Sequence, residues 1–283
     1  MPCGMHCEPL NMGKKKPRQE PEALELPRGG VESHAHLDLE DFDEDREEIL
    51  ARAKACGVEQ IINVFLGPDA YEKRKGLFDE HPEVSFLLGV HPNNADTLTD
   101  DALSRMRAHF KNDTRLKGVG EIGLDYYWER VDHGIQKRAF IKQLDLAREL
   151  DLPVIIHSRD ANDDCVEILL EQGFKDYPVL WHCFGSGLDL AQQVIDNGWH
   201  VSIPGPVTFR KTDDLQAAVA RIPFERLLIE TDCPFLAPEP WRGKRNHPAL
   251  IGFTAKRVAE IKGRSLEDLW QITGDNARRF FSL

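Results

Sequence analysis

His34 and His36 are two histidines separated by one residue, in a segment that begins with the apolar Val31. Because side chains in a β-strand alternate between its two faces, both imidazoles would point in the same direction. Two adjacent imidazoles can bind one divalent metal ion. A pair of surface histidines near a turn is the alternative, and it is the better interpretation for an isolated pair. Ligand-type residues at the ends of other strands would favour the metal.

Histidines and carboxylates recur at the ends of other predicted strands. Five of the eleven histidines occupy such positions, whereas the other six lie in the N-terminal segment, in helices, in loops or at the start of a strand. The strand-end residues of ligand type are His34, His36, His91, Glu121, His157, His182 and Asp232. Four of these histidines together with the two carboxylates are enough for two metal ions that each keep an open position for water. The pattern therefore predicts a metal centre.

Eight short β-strands, each followed by a helix, are predicted downstream of residue 30. The predicted strands cover residues 31–34, 60–65, 84–91, 117–121, 153–157, 179–182, 200–203 and 226–231. The predicted helices cover residues 45–56, 68–81, 100–111, 132–150, 161–172, 187–197, 212–221, 248–262 and 266–281. This alternation indicates parallel strands joined by helical crossovers.

The predicted fold is an α/β protein of the (β/α)8 TIM-barrel type. Residues 30–283 make 254 positions, close to the ~250 residues typical of such a barrel. A doubly wound open sheet is the competing fold, but His34-Ala35-His36 stands where its glycine-rich phosphate-binding segment would be. The active site of a barrel lies at the C-terminal ends of its strands. We expect one catalytic domain over residues 30–283, preceded by a flexible leader over residues 1–29.

The composition limits the class of protein and its compartment. The net charge of −12, from 36 basic and 48 acidic residues, counts against a nucleic-acid partner unless metal ions supply positive charge locally. No apolar run approaches the roughly 18 to 20 residues that span a bilayer, and residues 1–30 lack the apolar core of a secretory signal. The six cysteines are scattered, so reduced thiols are expected. These features predict a cytoplasmic protein with no membrane partner, and we expect a monomer.

The ligand-type residues lie in short segments with characteristic neighbours. These segments are His34-x-His36-x-Asp38, Gly89-Val90-His91-Pro92, Gly120-Glu121-Ile122-Gly123-Leu124-Asp125, Ile156-His157-Ser158-Arg159, His182-Cys183-Phe184, Glu230-Thr231-Asp232-x-Pro234 and Arg242-Gly243-Lys244-Arg245-Asn246-His247-Pro248. In order and content they resemble the motifs of the TatD family, metal-dependent deoxyribonucleases within the amidohydrolase-like barrels of the metallo-dependent hydrolase type. The resemblance runs from residue 31 to the end of the sequence and does not include the leader.

The resemblance implies two metal sites that share one carboxylate. One ion would be held by His34, His36, Glu121 and Asp232, and a second by Glu121, His157 and His182. Two positions depart from the family pattern, since Glu32 stands where the family usually has Asp and His247 stands where an acidic residue is common. Neither is a metal ligand in the family, so we expect the metal chemistry to be kept and the substrate contacts near His247 to differ.

Four residues are expected to take part in catalysis. Two metal ions roughly 3.5 to 4 Å apart, bridged by Glu121, can lower the pKa of a shared water and position a phosphate. Asp232 would orient that water and act as general base. His91 and Arg159 would contact phosphate oxygens as catalytic and substrate-binding residues. For His91 the alternative is a capping role, and for Arg159 it is a local salt bridge.

Further residues at the strand ends have two interpretations that the sequence leaves open. Arg242 and Asn246 either bind the substrate or close the last loop. Tyr126, Tyr127 and Trp128 follow the fourth strand, and they either stack on a base or pack over the barrel mouth.

The predicted function is that of a two-metal hydrolase that cleaves phosphodiester bonds of DNA, from an end of the strand. The alternative is an amidohydrolase-type enzyme that acts on a small ester, amide or lactone with the same metal-activated water. A non-catalytic binding module is a third class, and the presence of every ligand position argues against it. Four imidazoles favour Zn, Mn, Fe or Ni over Mg, which prefers oxygen ligands.

Overall fold

Eight parallel strands form the centre of the molecule. A computed structural model describes residues 18–283. Within these residues the strands are β1 (Gly30–Ala35), β2 (Val58–Leu66), β3 (Val84–Gly89), β4 (Leu116–Asp125), β5 (Val154–Arg159), β6 (Val179–Trp181), β7 (His200–Ile203) and β8 (Leu227–Ile229). They form one sheet in chain order. A parallel bridge between Ala35 and Cys233 joins β1 to the segment after β8, which closes the sheet into the predicted (β/α)8 barrel.

Helices connect the strands and surround the barrel. They are α1 (Arg46–Ala55), α2 (Pro68–Arg74), α3 (Asp100–Asn112), α4 (His133–Leu150), α5 (Asn162–Glu171), α6 (Leu188–Asp196), α7 (Asp213–Arg221), α8 (Ile251–Lys262) and α9 (Leu266–Phe281). Among the helices of residues 18–283, none combines the length and the apolarity that crossing a membrane requires.

The strand ends differ from the predicted ones in ways that affect the site. β4 continues four residues past Glu121 to Asp125, because its last residues pair with β5 as far as Arg159. β6 and β8 are shorter than predicted. His182 is therefore the first residue after β6, and Asp232 lies in the loop after β8 rather than near a strand end.

Gly123 allows β4 and β5 to approach each other closely at the site. Its φ angle is +136°, and a Cβ atom there would lie 2.1 Å from the carbonyl oxygen of His157. A residue with a side chain would force the two strands apart, so glycine is required at this position. The close approach sets the position of His157 relative to β4.

An apolar layer fills the barrel below the strand ends. Ile155 and Leu180 are buried in one hydrophobic cluster with Phe280 from the end of α9. Ile155 lies two residues before His157 and Leu180 two residues before His182, so each apolar residue shares a face with the histidine above it. The interior is therefore closed beneath the polar strand ends.

The described part of the predicted leader contacts the barrel. Trp270 of α9 donates a hydrogen bond from its indole nitrogen to the carbonyl oxygen of Pro27 at 2.9 Å. The Arg52 guanidinium pairs with the Glu22 carboxylate at 2.7 Å. Residues 18–29 thus pack against the barrel, unlike the flexible segment expected there, and residues 1–17 lie outside the described part. The start of the catalytic domain at residue 30 stays a prediction.

Candidate metal centre

The Glu121 carboxylate lies at the centre of the site, and its two oxygens face two separate groups of histidines. Oε2 is 3.5 Å from His34 Nε2 and 3.8 Å from His36 Nε2. Oε1 is 2.5 Å from His157 Nδ1 and 2.8 Å from His182 Nε2. Glu121 is 4% exposed. One buried carboxylate therefore joins the two groups.

The first group combines the end of β1 with the loop after β8. Asp232 Oδ1 is 3.4 Å from His36 Nε2 and 3.9 Å from His34 Nε2. Two backbone hydrogen bonds hold the loop against β1, from the Asp232 amide to the His34 carbonyl at 3.0 Å and from the His36 amide to the Cys233 carbonyl at 2.9 Å. The pairing of the two segments therefore brings this carboxylate to the two histidines.

The second group combines His157 of β5 with residues that follow β3 and β6. His91 Nε2 is 3.5 Å from Glu121 Oε1, near the positions of His157 and His182. His91 also accepts a hydrogen bond at Nδ1 from the Asn93 amide at 3.1 Å, so it caps the following turn as well as facing the site. The imidazole of His182 stacks on that of His34 with centroids 3.9 Å apart, which connects the two groups directly.

Two carboxylates that were given no role from the sequence support the histidines from behind. Asp125 Oδ2 is 3.0 Å from His157 Nε2, and Glu230 Oε1 is 3.4 Å from His182 Nδ1. Such partners orient the ring and raise the basicity of a ligating histidine. The only signal in the sequence is that Asp125 ends the motif containing Glu121 and that Glu230 lies two residues before Asp232.

The two departures from the family pattern are both buried. Glu32 Oε1 accepts hydrogen bonds from the His34 amide at 3.1 Å and the Thr231 amide at 2.9 Å, so this carboxylate ties β1 to the end of β8. Burial raises the pKa of Glu32 to about 8. At His247, burial and the nearby arginines Arg52 and Arg245 lower the pKa to about 4.

The residues of the site fit divalent metal ions. His34 is fully buried, and neither of its ring nitrogens has a hydrogen-bond partner among the described residues. Burial lowers the pKa of His34, which favours the neutral imidazole that binds metals. Four sets of three ligand atoms lie within 4.8 Å of one another among the described residues, and two of them share Glu121: His34, His36 and Glu121, and Glu121, His157 and His182. A buried polar nitrogen without a partner is costly, and a metal ion would coordinate the lone pair of an unprotonated Nε2.

Opposite charges in the site outweigh the effect of burial. Burial raises the pKa of Glu121, but the neighbouring imidazoles hold it well below its usual value. Burial lowers the pKa of His36, but the hydrogen bond and the charge of Asp232 raise it to about 9. Glu121 is therefore ionised at neutral pH, as a carboxylate ligand must be, whereas His36 would have to release a proton to bind a metal ion.

The comparisons with known proteins agree with this geometry. The model of a family described as TatD related DNase matches residues 31–282. The chain belongs to the TatD family. YabD of Bacillus subtilis, a metal-dependent hydrolase, is 39% identical over 255 residues, which cover 89% of this chain and 98% of YabD. The 3'-5' ssDNA/RNA exonuclease TatD of Pectobacterium parmentieri is 32% identical, with 88% of this chain and 97% of the relative covered.

A solved structure also resembles this TatD-family chain. The crystal structure of YJJV, a TatD homologue from Escherichia coli, superposes with a TM-score of 0.84 at 25% identity. The match covers 90% of this chain and 98% of YJJV. The family and its metal-dependent hydrolases thus agree with the barrel and with the cluster of histidines and carboxylates at its mouth.

The predicted substrate-binding residues of this TatD-family chain lie in different environments. Arg159 and Arg242 are exposed, and their guanidinium groups stack on Tyr127 at 3.8 Å and on Phe209 at 4.2 Å. Asn246 is fully buried, and its amide donates to the carbonyl oxygens of Thr231 and Phe235 at 2.9 and 2.6 Å. Of its two suggested roles, Asn246 thus has contacts that close the last loop, and both its donors are used there.

The three aromatic residues after β4 also separate into two classes. The Tyr126 ring stacks on His133 with centroids 3.8 Å apart, and its hydroxyl donates to Asp164 at 2.5 Å. Tyr127 and Trp128 are 53% and 44% exposed. Tyr126 is therefore a packing residue, whereas the other two are accessible to a ligand.

Proposed function

We propose that this chain is a metal-dependent nuclease that hydrolyses phosphodiester bonds of DNA from an end of the strand. The observation that carries the proposal is Glu121, whose two oxygens face two separate groups of histidines at the barrel mouth. The description of the family as DNases and the activity named for the Pectobacterium relative support a nucleic-acid substrate.

Two divalent cations are the proposed cofactors. One would be held by His34, His36, Glu121 and Asp232, and the other by Glu121, His157 and His182. Bound cations would polarise the phosphodiester and increase the acidity of the attacking water. Imidazole ligands favour Zn, Mn, Fe or Ni, whereas Mg prefers oxygen and keeps its own waters.

Asp232 is the proposed general base. Its side chain is 15% exposed, against 5% for Glu121, so Asp232 is the more accessible of the two carboxylates to water. Burial raises the pKa of Asp232, but the hydrogen bond and charge of His36 leave it below its usual value. An ionised and accessible carboxylate can orient a water molecule and accept its proton as the water attacks phosphorus.

Cationic groups at the barrel mouth are the proposed phosphate contacts. Arg159 and Arg242 are exposed, and a guanidinium binds two phosphate oxygens at once. The two arginines offer local positive charge in a protein whose net charge is −12. His91 lies 3.5 Å from Glu121, and because burial lowers its pKa, it would contact phosphate as a neutral hydrogen-bond donor.

A nuclease assay tests the proposal. Purified protein with Mn²⁺ or Zn²⁺ is incubated with single-stranded DNA labelled at either end, and metal content is measured on the same sample. We expect release of mononucleotides that EDTA abolishes and that His157→Ala removes. His109→Ala, which changes an imidazole on α3 instead, serves as the matched control and keeps full activity.

The alternative enzyme class predicts a different result. Absence of nucleotide release, together with hydrolysis of a lactone, ester or amide by the metal-loaded protein, would replace the nuclease by an amidohydrolase-type enzyme. Two bound metals with no turnover of any of these substrates would instead indicate a binding module.

We also propose a cytoplasmic monomer. Among the described residues, Cys56, Cys165, Cys183 and Cys233 are free thiols, which is typical of a reducing compartment. Light scattering coupled to size exclusion tests the oligomeric state, and a mass near 32.2 kDa is expected.

A further inference from the structure

Exposed aromatic and aliphatic side chains flank the candidate metal centre on two sides. Six large apolar side chains are exposed within residues 18–283. Four of them follow β4 or β8, and these are Tyr127, Trp128, Phe235 and Leu236. An exposed apolar surface at a site opening marks a place where a ligand binds.

The Asp125 carboxylate holds the first two of these residues in position. Its Oδ1 atom accepts hydrogen bonds from the backbone amides of Tyr127 and Trp128, each at 3.1 Å. Its Oδ2 atom is 3.0 Å from Nε2 of the candidate ligand His157. One side chain therefore fixes the distance between the aromatic pair and the metal centre.

Guanidinium groups lie against both aromatic rings. Arg159 is 3.8 Å from the centroid of the Tyr127 ring and 5.8 Å from that of Trp128. Arg130 is 5.3 Å from the Trp128 ring. These cation–π contacts hold the rings in place while they stay exposed to solvent. The surface therefore offers aromatic faces and positive charge side by side, which matches the base and the phosphate of a nucleotide.

The opposite side of the opening carries Phe235. Its ring centroid is 6.5 Å from that of the candidate ligand His36, and Asn246 fixes its loop by donating to the Phe235 carbonyl oxygen at 2.6 Å. Phe235 is 54% exposed. Phe235 and the aromatic pair therefore follow β8 and β4, which are four strands apart around the barrel.

We propose that Tyr127 and Trp128 form a stacking site for an unpaired nucleobase next to the phosphate that is cleaved. The inference rests on the proposed nuclease function and specifies that the end of the nucleic acid is single-stranded. Stacking on aromatic side chains needs a free base face, and it accepts any base because every base has a π-face. The substrate is then a strand with a single-stranded end, read without sequence preference.

A binding experiment with the metal-loaded, full-length protein tests the stacking site. The probe is a fluorescent single-stranded oligonucleotide with phosphorothioate linkages, which resist hydrolysis. A second probe has the same backbone and length but carries abasic residues at both terminal positions. Dissociation constants are measured by fluorescence anisotropy for wild type, Trp128→Ala, Trp128→Phe, Tyr127→Ala and Leu170→Ala. Leu170 is 42% exposed on α5 and serves as the matched control.

We expect Trp128→Ala to weaken binding of the intact probe roughly 5- to 150-fold, the range for loss of one stacked base. Trp128→Phe should retain most of the affinity, and Leu170→Ala should leave it unchanged. The abasic probe should bind wild type and Trp128→Ala almost equally, because no terminal base is left to stack.

Two results would overturn the stacking site. Equal weakening of both probes by Trp128→Ala would mean that the residue supports the loop rather than a base. Unchanged binding in Trp128→Ala and in Tyr127→Ala would leave the exposed rings to a protein partner.

Turnover measured in parallel separates this inference from the proposed function. Base-dependent binding without nucleotide release from normal DNA would keep the stacking site and reject the nuclease. Nucleotide release with binding that does not depend on the terminal base would keep the nuclease and reject the stacking site.

Discussion

The single side chain of Glu121 contacts both groups of histidines. Its oxygens lie 2.5 to 3.8 Å from imidazole nitrogens of both histidine groups. Among the described residues, Glu121 is the carboxylate found both with His34 and His36 and with His157 and His182. A change here therefore affects both proposed metal sites at once.

We predict that Glu121→Gln binds less metal and is almost inactive. An amide is a poorer ligand than a carboxylate. Loss of a residue that supports a ligand lowers metal affinity or activity about 10- to 100-fold, so loss of the shared ligand itself should lower both by more. Metal-to-protein ratios by mass spectrometry and nucleotide release measure the effect. Glu167→Gln, an exposed glutamate on α5, is the matched control. Wild-type metal content in Glu121→Gln would contradict the bridging role.

Most of the proposed ligands could be predicted from the sequence, because parallel strands bring their carboxyl ends together. His34 and His157 are 123 residues apart in the chain, yet each lies near a strand end. The roles of Asp125 and Glu230 could not be predicted, since they depend on which ring nitrogen of each histidine faces inward. The role of Asn246 could not be chosen from the sequence, because only the tertiary structure shows that its amide is buried and bonded within the last loop.

At the scale of the elements, β4 and β5 approach each other closely at the site. The approach depends on Gly123, where a Cβ atom would lie 2.1 Å from the His157 carbonyl oxygen. Strand prediction ended β4 at residue 121, because the sequence pattern does not show that the last four residues continue to pair with β5.

We predict that Gly123→Ala is destabilised by at least about 2 kcal/mol, from backbone strain together with steric overlap. It should also lose metal, because His157 is displaced. Thermal unfolding and metal content measure both effects. Gly173→Ala is the matched control, since its φ angle is +77° but nothing lies within 4 Å of the added Cβ. Equal destabilisation of the two variants would mean that strain alone, without overlap, explains the loss.

The first residue of β7 makes the stability of the barrel depend on pH. His200 packs on Phe280 with ring centroids 5.0 Å apart. Burial, and then the charges of Arg226 and Arg279, lower the pKa of His200 to about 4. Below the unfolded pKa of 6.5 the unfolded chain binds a proton that the folded chain does not, so stability is present above pH 6.5 and falls toward pH 4.

We predict that replacing His200 by Gln removes up to about 2 kcal/mol of the stability loss between pH 7 and pH 5. Urea unfolding at the two pH values, with EDTA present so that metal release does not contribute, gives the difference. An identical pH dependence in wild type and His200→Gln would show that this residue is not responsible.

The charge of the whole molecule limits how it can hold DNA. With a net charge of −12, attraction to phosphate has to come from a few groups at the barrel mouth and from bound cations. The composition counted against a nucleic-acid partner for this reason, and the family to which the chain belongs is nevertheless described as DNases. Overall charge is thus a poor guide when a small site provides the contact.

We predict a shallow salt dependence of DNA binding. Each phosphate contact to a single strand contributes about −0.7 to the slope of log K against log salt, so two or three contacts give about −1.5 to −2. Anisotropy titrations between 50 and 200 mM salt measure it. Arg159→Gln should reduce the slope by about 0.7, whereas Arg107→Gln on α3 should not change it. A slope steeper than about −4 would indicate a much larger basic surface.

The seam between β1 and the loop after β8 also has a consequence during synthesis. Glu32 accepts a hydrogen bond from the amide of Thr231, which lies 199 positions later in the chain. At about 5 to 20 residues per second, a ribosome needs roughly 10 to 40 s to make that stretch. During this time β1 has no partner on one edge, and Asp232 has not yet been synthesised beside His34 and His36. The full ligand set therefore forms only after the eighth strand has emerged.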